Sequence, residues 1–257
     1  MQDLISIIVP VYNASNTVEK TIQSILKQSY THFEVIVIDD CSSDNSFEIL
    51  EALEKIDKRI ILYKNEKNLG VSQTRNYGIS KAKGEFIAFL DSDDEWRENK
   101  LELQLQYIKK QQADLCYTAY EMVGEKDSLG VYCSVPAQVT YKELLKENSI
   151  LCSSVLVRKS RLKEMPFNSE FFHEDFVLWL ELLKEGCKAV GFQESLVRYQ
   201  KGGRSADKLQ ASKNRWIIYR KCEQLGRLGA VYYFFHYMIN GIKKYYVKTN
   251  SSKEIST

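Results

Sequence analysis

Short apolar runs alternate with segments that open on helix-capping signals, and polar residues gather where the runs end. Ile5-Ser6-Ile7-Ile8-Val9, Val35-Ile36-Val37-Ile38 and Phe86-Ile87-Ala88-Phe89-Leu90 are three such runs. Near-continuous apolar stretches of this length read as strands buried on both faces, as in a parallel sheet. Between the first two, Asn16 with Glu19 three residues on predicts a capping box and a helix to about Gln28. After the second, Ser43 or Asp44 is available as the N-cap of another helix. Further on, Phe176 to Leu183 is strongly apolar, opens with Glu174-Asp175 and stops at Gly186, the pattern of a buried helix. Strand, helix, strand, helix predicts an α/β fold with right-handed crossovers.

The strand ends carry the candidate chemistry. They read Pro10-Val11-Tyr12-Asn13, Asp39-Asp40 and Asp91-Ser92-Asp93-Asp94. Open α/β sheets place ligands at the C-terminal edge of their strands. Clustered carboxylates repel one another unless a proton or cation lies between them, so oxygen-preferring Mg²⁺ or Mn²⁺ is their natural companion. A solvated acidic turn is the structural alternative for the quartet, and for Asp39-Asp40 it is turn chemistry. Glu174 and Asp175 are equally accounted for by the helix dipole.

Composition fits one large domain, or a domain with an appendage. The six cysteines are dispersed without a Cys-X-X-Cys pair, so reduced thiols in a cytoplasmic protein are expected, not zinc or disulfides. The chain opens directly on a strand, and no signal peptide is expected.

Charge is unevenly spread. From Arg204 onward there are eleven Lys/Arg against three Asp/Glu, so the tail is strongly basic and residues 1–203 are acidic overall. The tail is also aromatic, and its uncharged part from Leu228 to Ile242 is too short to span a bilayer. With Arg227, Lys243, Lys244 and Lys248 flanking it, a helix at an anionic membrane surface is expected. Packing on the catalytic domain, or across a homodimer, is the alternative. No nucleic-acid module accompanies the basic stretch, so nucleic acid is not expected as a partner.

Five blocks in order carry a family resemblance: Pro10-Val11-Tyr12-Asn13, Val37 to Asp44, Asn68-Leu69-Gly70 with Arg75-Asn76 and Gly78, Asp91 to Asp94, and His173-Glu174-Asp175-Phe176. Over roughly residues 4 to 205 the chain resembles family 2 inverting glycosyltransferases, which have the GT-A nucleotide-diphospho-sugar transferase fold. The resemblance implies a mostly parallel central sheet flanked by helices, with a helical C-terminal appendage. It implies a GT-A domain over 1–203, divided into a nucleotide-sugar half (1–112) and an acceptor half (113–203), and a tail over 204–257.

The same resemblance implies roles. Pro10, Val11, Tyr12, Asn13, Asp39 and Asp40 would hold the base, usually uracil, with Asp40 favoured over Asp39 as acceptor for the ring N–H. Gly70 and Arg75 would face the pyrophosphate at a helix N-terminus. Asp91 and Ser92 would lie near the ribose, Asp93 would ligate Mn²⁺ or Mg²⁺, and Asp94 would be a second ligand or a supporting group. Asp175 would be the catalytic base, and Glu174 would position the acceptor or start the helix. Many relatives carry a His after the base helix; here Arg198 to Ser205 has none, leaving Lys201 or Arg204 to offset phosphate charge.

The expected reaction is transfer of a hexose or N-acetylhexosamine from a UDP-sugar to a lipid-linked oligosaccharide in O-antigen, lipopolysaccharide or capsule synthesis, at the inner face of the cytoplasmic membrane. A sugar-phosphate nucleotidyltransferase would want a Gly-rich basic loop where Pro10 to Ser15 stand. A non-catalytic nucleotide-binding or scaffolding domain of the same fold is the remaining alternative, disfavoured by the intact Asp93 and Asp175.

Overall fold

The computed structural model describes residues 2–124, 130–202 and 208–251, without the side chains of 208 and 242–251. In chain order the elements are β1 (Ile5–Val11), α1 (Val18–Leu26), β2 (Phe33–Asp39), α2 (Ser46–Ile56), β3 (Ile60–Lys64), α3 (Val71–Lys81) and β4 (Phe86–Phe89). There follow β5 (Glu95–Trp96), α4 (Lys100–Lys110), β6 (Leu115–Val123), β7 (Val131–Cys133), α5 (Tyr141–Lys146) and β8 (Leu156–Arg158). The chain then forms α6 (Glu174–Lys184), β9 (Ala189–Gln200), α7 (Lys208–Ile217) and α8 (Arg227–Ser251).

One sheet runs β3-β2-β1-β4-β8-β6-β9-β5, with β7 beside β6. The expected parallel order holds for β3, β2, β1 and β4. Beyond β4 the sheet is mixed: β8 is antiparallel to both β4 and β6, while β6 and β9 run parallel. Strand alternation divides the core between two faces. Ile8, Ile36, Ile38, Ile87 and Phe89 point to a cluster shared with α6 and the tail. Ile7, Val9, Val35, Val37, Phe86 and Ala88 point to the other, under α1, α2 and α4.

Helix α3 packs closely on the first face. A Cβ at Gly78 would lie 2.6 Å from Ile8 Cγ2 and 2.8 Å from Ile38 Cδ1, so only a residue without a side chain fits. Asn76 on the same helix exchanges two hydrogen bonds with the backbone of Phe167, at 2.8 and 2.9 Å. This helix therefore ties the parallel half to the chain that leads into α6.

Two capping expectations change. Helix α1 begins at Val18 after Thr17, with no side-chain cap, and Asn16 and Glu19 are both exposed. The turn before it is pinned by a neighbouring loop instead: Ala14 N donates to Ser46 Oγ (2.8 Å) and Ser15 N to Asp44 Oδ2 (3.0 Å). Asp44 also accepts from Ser46 N at 3.0 Å, one position ahead of Asn45, which flanks the helix. A true capping box occurs at Thr140 and Glu143, opening α5.

The tail is part of the main core on one side. Ile218, Tyr219 and Ala230 are fully buried in the α6 cluster, where Tyr233 and Phe234 also pack. Its other side is open: Leu228, Val231, Tyr232, Phe235 and Met238 are exposed on α8. No described helix is long and apolar enough to cross a membrane.

Candidate active site

A cleft of about 730 Å³ opens at the C-terminal edge of β1, β2 and β4, where the sheet order predicts it. Of the expected residues, Pro10, Val11, Tyr12, Asn13, Asp40, Gly70, Arg75, Asp91, Ser92, Asp93, Glu174 and Asp175 all line it. Asp39, Asp94 and Lys201 do not. Arg204 lies outside the described residues.

The Asp39-Asp40 pair divides its duties in an unexpected way. Asp40 Oδ1 accepts from Asn65 Nδ2 (2.7 Å) and Leu69 N (2.9 Å), and its Oδ2 accepts from Gly70 N (2.9 Å). It thereby holds the loop that feeds α3. Gly70 has φ +81°, a left-handed conformation suited to glycine. Asp39 is fully buried, in register with Val11; Ser42 N donates to its Oδ2, and its Oδ1 has no partner among the described residues. Spare acceptor capacity thus lies on Asp39, which does not line the cleft, whereas the engaged Asp40 does.

The acidic quartet is equally divided. Asp93 is exposed to the cleft, and desolvation with the nearby Asp91 charge pushes its pKa up to about 6. Asp94 is sealed beneath: Ser153 Oγ donates to its Oδ2 (2.5 Å) and Gln200 N to its Oδ1 (2.9 Å). Burial, and then the Asp91 and Asp93 charges, raise its pKa well above the carboxylate range. The ligand position expected for Asp94 is therefore corrected to a support, since both its oxygens are engaged away from the cleft. Ser153 also accepts from Asp91 N at 3.2 Å, and its carbonyl accepts from Trp96 Nε1 at 2.8 Å.

Arg75 is not free to face a phosphate in this structure. Its Nη1 donates to Glu174 Oε1 at 2.7 Å and its Nη2 to Asp91 Oδ1, while its guanidinium packs on Phe167. Burial disfavours its charge, but Asp91, the nearby Cys152 and Glu174 more than compensate and raise its pKa. The side chain joins the turn after β4 to the start of α6. Glu174 is correspondingly an ion-pair partner, 2% exposed.

Asp175 stands beside it at the cleft wall, with Phe176 N donating to its Oδ1 at 2.7 Å. Burial and the Glu174 charge push its pKa up to about 6, against the opposing pull of Arg75. A carboxylate so raised is a better proton acceptor than an ordinary one. Lys201 is exposed; its backbone N–H joins Val123 O at 2.7 Å.

Several cleft residues had no local sequence signal: Tyr120, Cys152, Tyr199, Gln200 and Arg215. They come from β6, the 148–152 connection, β9 and α7, and only folding gathers them.

Among the described residues, no group of three His, Cys, Asp or Glu side chains could hold a metal alone. The donor set still fits a divalent cation completed by ligand oxygens. Asp93 is open to the cleft beside Asp91, and their repulsion is what an oxygen-seeking cation relieves.

An acidic strand edge with a raised carboxylate on a facing helix start defines a sugar-nucleotide transferase of GT-A type. The chain belongs to glycosyl transferase family 2, whose sequence profile it matches over residues 6–174, and it is a glycosyltransferase. It is 38% identical over 246 residues to the Escherichia coli UDP-Glc:alpha-D-GlcNAc-diphosphoundecaprenol beta-1,3-glucosyltransferase WfgD, covering 94% of this chain and 95% of that one. Two solved structures share the fold. Staphylococcus aureus TarS 1-349 with UDP-GlcNAc has a TM-score of 0.69 at 22% identity, covering 91% of this chain and 71% of that one. The Pyrobaculum calidifontis mannosyltransferase PcManGT, with GDP-Man and Mn2+, has 0.68 at 15%, covering 88% and 66%.

Proposed function

We propose that the chain transfers a hexose or N-acetylhexosamine from a UDP-sugar to a hydroxyl of a lipid-linked oligosaccharide, with inversion, during assembly of a bacterial surface polysaccharide such as O-antigen, lipopolysaccharide or capsule. The observation that carries the reading is one cleft holding both an exposed Asp93 and a raised-pKa Asp175. The name of the relative WfgD supports the donor and acceptor classes.

The uridine lies along Pro10, Val11, Tyr12 and Asn13, with the Asp40 carboxylate at the cleft wall as acceptor for the ring N–H. The diphosphate meets the N-terminus of α3 at Gly70, where backbone N–H groups favour an anion. Asp93, with Asp91, would hold Mn²⁺ or Mg²⁺, which when bound supplies positive charge to the departing diphosphate. Asp175 takes the proton from the acceptor hydroxyl as its oxygen bonds to the anomeric carbon. The carbon–diphosphate bond breaks, and its electron pair leaves with UDP. Attack from the face opposite the diphosphate inverts the centre.

The tail is read as a membrane-surface element at the inner face of the cytoplasmic membrane. The exposed stripe Leu228, Val231, Tyr232, Phe235 and Met238 on α8, with basic residues flanking it in sequence, supports this. Sedimentation with anionic vesicles, lost in Phe235→Ser, is the expected result. A stable dimer that buries the stripe and ignores vesicles would refute it.

The deciding experiment on donor class is a thermal shift with a panel of nucleotide sugars, with and without Mn²⁺. A metal-dependent shift with UDP-sugars, absent in Asp93→Ala, is expected. No shift with any nucleotide sugar in folded protein would favour a non-catalytic binding domain.

A further inference from the structure

Two buried arginines line the cleft, and they are treated very differently. Arg75 is paired with two carboxylates. Arg215, on α7 beyond the family-matched stretch, is 5% exposed and makes no ion pair among the described residues. Its Nε and Nη1 have no hydrogen-bond partner there either. The guanidinium carbon lies 3.5 Å from the ring centroid of Phe176 and 5.0 Å from that of Tyr237. Desolvation pulls its pKa below the usual arginine value, opposed by Tyr219, Tyr237 and Asp175.

Stacking between two rings fixes the plane of a guanidinium but does not satisfy its donors. Beyond a hydrogen bond to Tyr219, Nε and Nη1 remain open, and a buried fork with open donors is suited to an oxyanion that arrives with a ligand. Position identifies the ligand. Phe176 adjoins Asp175, the group that meets the acceptor hydroxyl, whereas the donor diphosphate belongs with Asp91, Asp93 and α3. When the acceptor sugar is itself joined to a lipid diphosphate, its phosphate lies one sugar ring from the attacking hydroxyl. A cation for that phosphate must then stand near the base, as Arg215 does. Helix α8, which brings Tyr237 against it, also bears the exposed apolar stripe.

We propose that Arg215 is the acceptor-phosphate subsite, binding the diphosphate through which the acceptor sugar is joined to its lipid and so selecting diphosphate-borne acceptors. This rests on the functional reading above for the identity of the acceptor.

The test is calorimetric titration of octyl diphosphate, below its micellar range, and separately of UDP with Mn²⁺. The proteins are wild type, Arg215→Gln, Arg215→Lys and Asp93→Ala. Octyl diphosphate should bind wild type and Asp93→Ala alike, at least tenfold more weakly to Arg215→Gln, and at intermediate strength to Arg215→Lys. UDP affinity should stay within twofold in both Arg215 variants, which also reports their folding. If Arg215→Gln does not fold, Arg215→Lys carries the test: it must weaken octyl diphosphate severalfold and leave UDP alone.

Absence of octyl diphosphate binding to wild type, equal loss in Asp93→Ala, or parallel loss of UDP in an Arg215 variant overturns the proposal. A kinetic result also overturns it: an acid limb of kcat/KM moved to higher pH in Arg215→Gln with acceptor KM unchanged, which makes Arg215 only the counter-charge of Asp175. If UDP fails to bind wild type while octyl diphosphate follows the Arg215 pattern, the donor reading falls and the subsite stands.

Discussion

The two sides of the cleft, read above as a donor side at the strand ends and an acceptor side at α6 and α7, differ in how their charges are satisfied. On the donor side the acids are mostly engaged before any ligand arrives: Asp40 takes three N–H donors, Asp94 takes one hydroxyl and one N–H, and Asp91 takes Arg75. Asp93 is the most exposed of the quartet, and Asp94 is the one sealed from the cleft. On the acceptor side Asp175 is raised by burial, and Arg215 lies buried without an ion pair among the described residues, with Nε and Nη1 open. A network closed on itself presents a rigid surface to a nucleotide. Unpaired buried charge is costly, so the acceptor side has more to gain from the ligand that completes it.

The largest effect expected from breaking this contrast is at the base. Asp175→Asn should reduce kcat by about 10³-fold, within the usual range for losing a general base, while UDP affinity by calorimetry is unchanged. Retained turnover would remove Asp175 from that role.

Next is the bridge between the sides. Arg75→Met removes the guanidinium that pairs with buried Glu174 and with Asp91 and should lower unfolding free energy by about 3 kcal/mol, measured by urea denaturation. A loss near zero would mean that Glu174 is satisfied elsewhere.

Adjacent carboxylates sharpen the comparison. Asp93→Asn should abolish the Mn²⁺-dependent part of UDP binding. Asp94→Asn, which keeps the shape of a side chain turned away from the cleft, should leave that binding within about threefold. Equal losses would place Asp94 in the ligand set.

Gly78→Ala tests the seating of the helix that supports both sides. Its new methyl meets Ile8 and Ile38, and overpacking of this kind costs about 1–3 kcal/mol. The smallest effect is in pH. With a base of pKa about 6, kcat/KM should fall as pH drops through about 6, because only the deprotonated carboxylate accepts the proton. An acid limb near 4 would show that Asp175 is not raised in the free enzyme.

Much of the donor side was legible because its parts are local. An apolar run followed by Asp91 to Asp94 marks both a strand and the edge where it ends. The same holds for Pro10 to Asn13 and for Asp39-Asp40. The acceptor side was legible only at Glu174-Asp175, and there through the family pattern, since a helix dipole explains those acids equally well. The capping motif at Asn16 misled because Asp44 and Ser46, from another loop, supply the contacts a cap would have made.

The amino-acid order alone determined the α/β class, the edge that holds the cleft, the family and the candidate base, because strand burial and turn chemistry are written in neighbouring residues. Which acids of each adjacent pair line the cleft, and how far they are already engaged, was decided by tertiary structure. Ser153 and Gln200, far along the chain, turn Asp94 inward, and Asn65 with Gly70 occupies Asp40. Arg75 was likewise committed by Glu174, and Arg215 was delivered to the cleft by a tail that in sequence reads only as basic and aromatic. Pairing across such separations depends on how the elements pack, and local pattern carries no record of it.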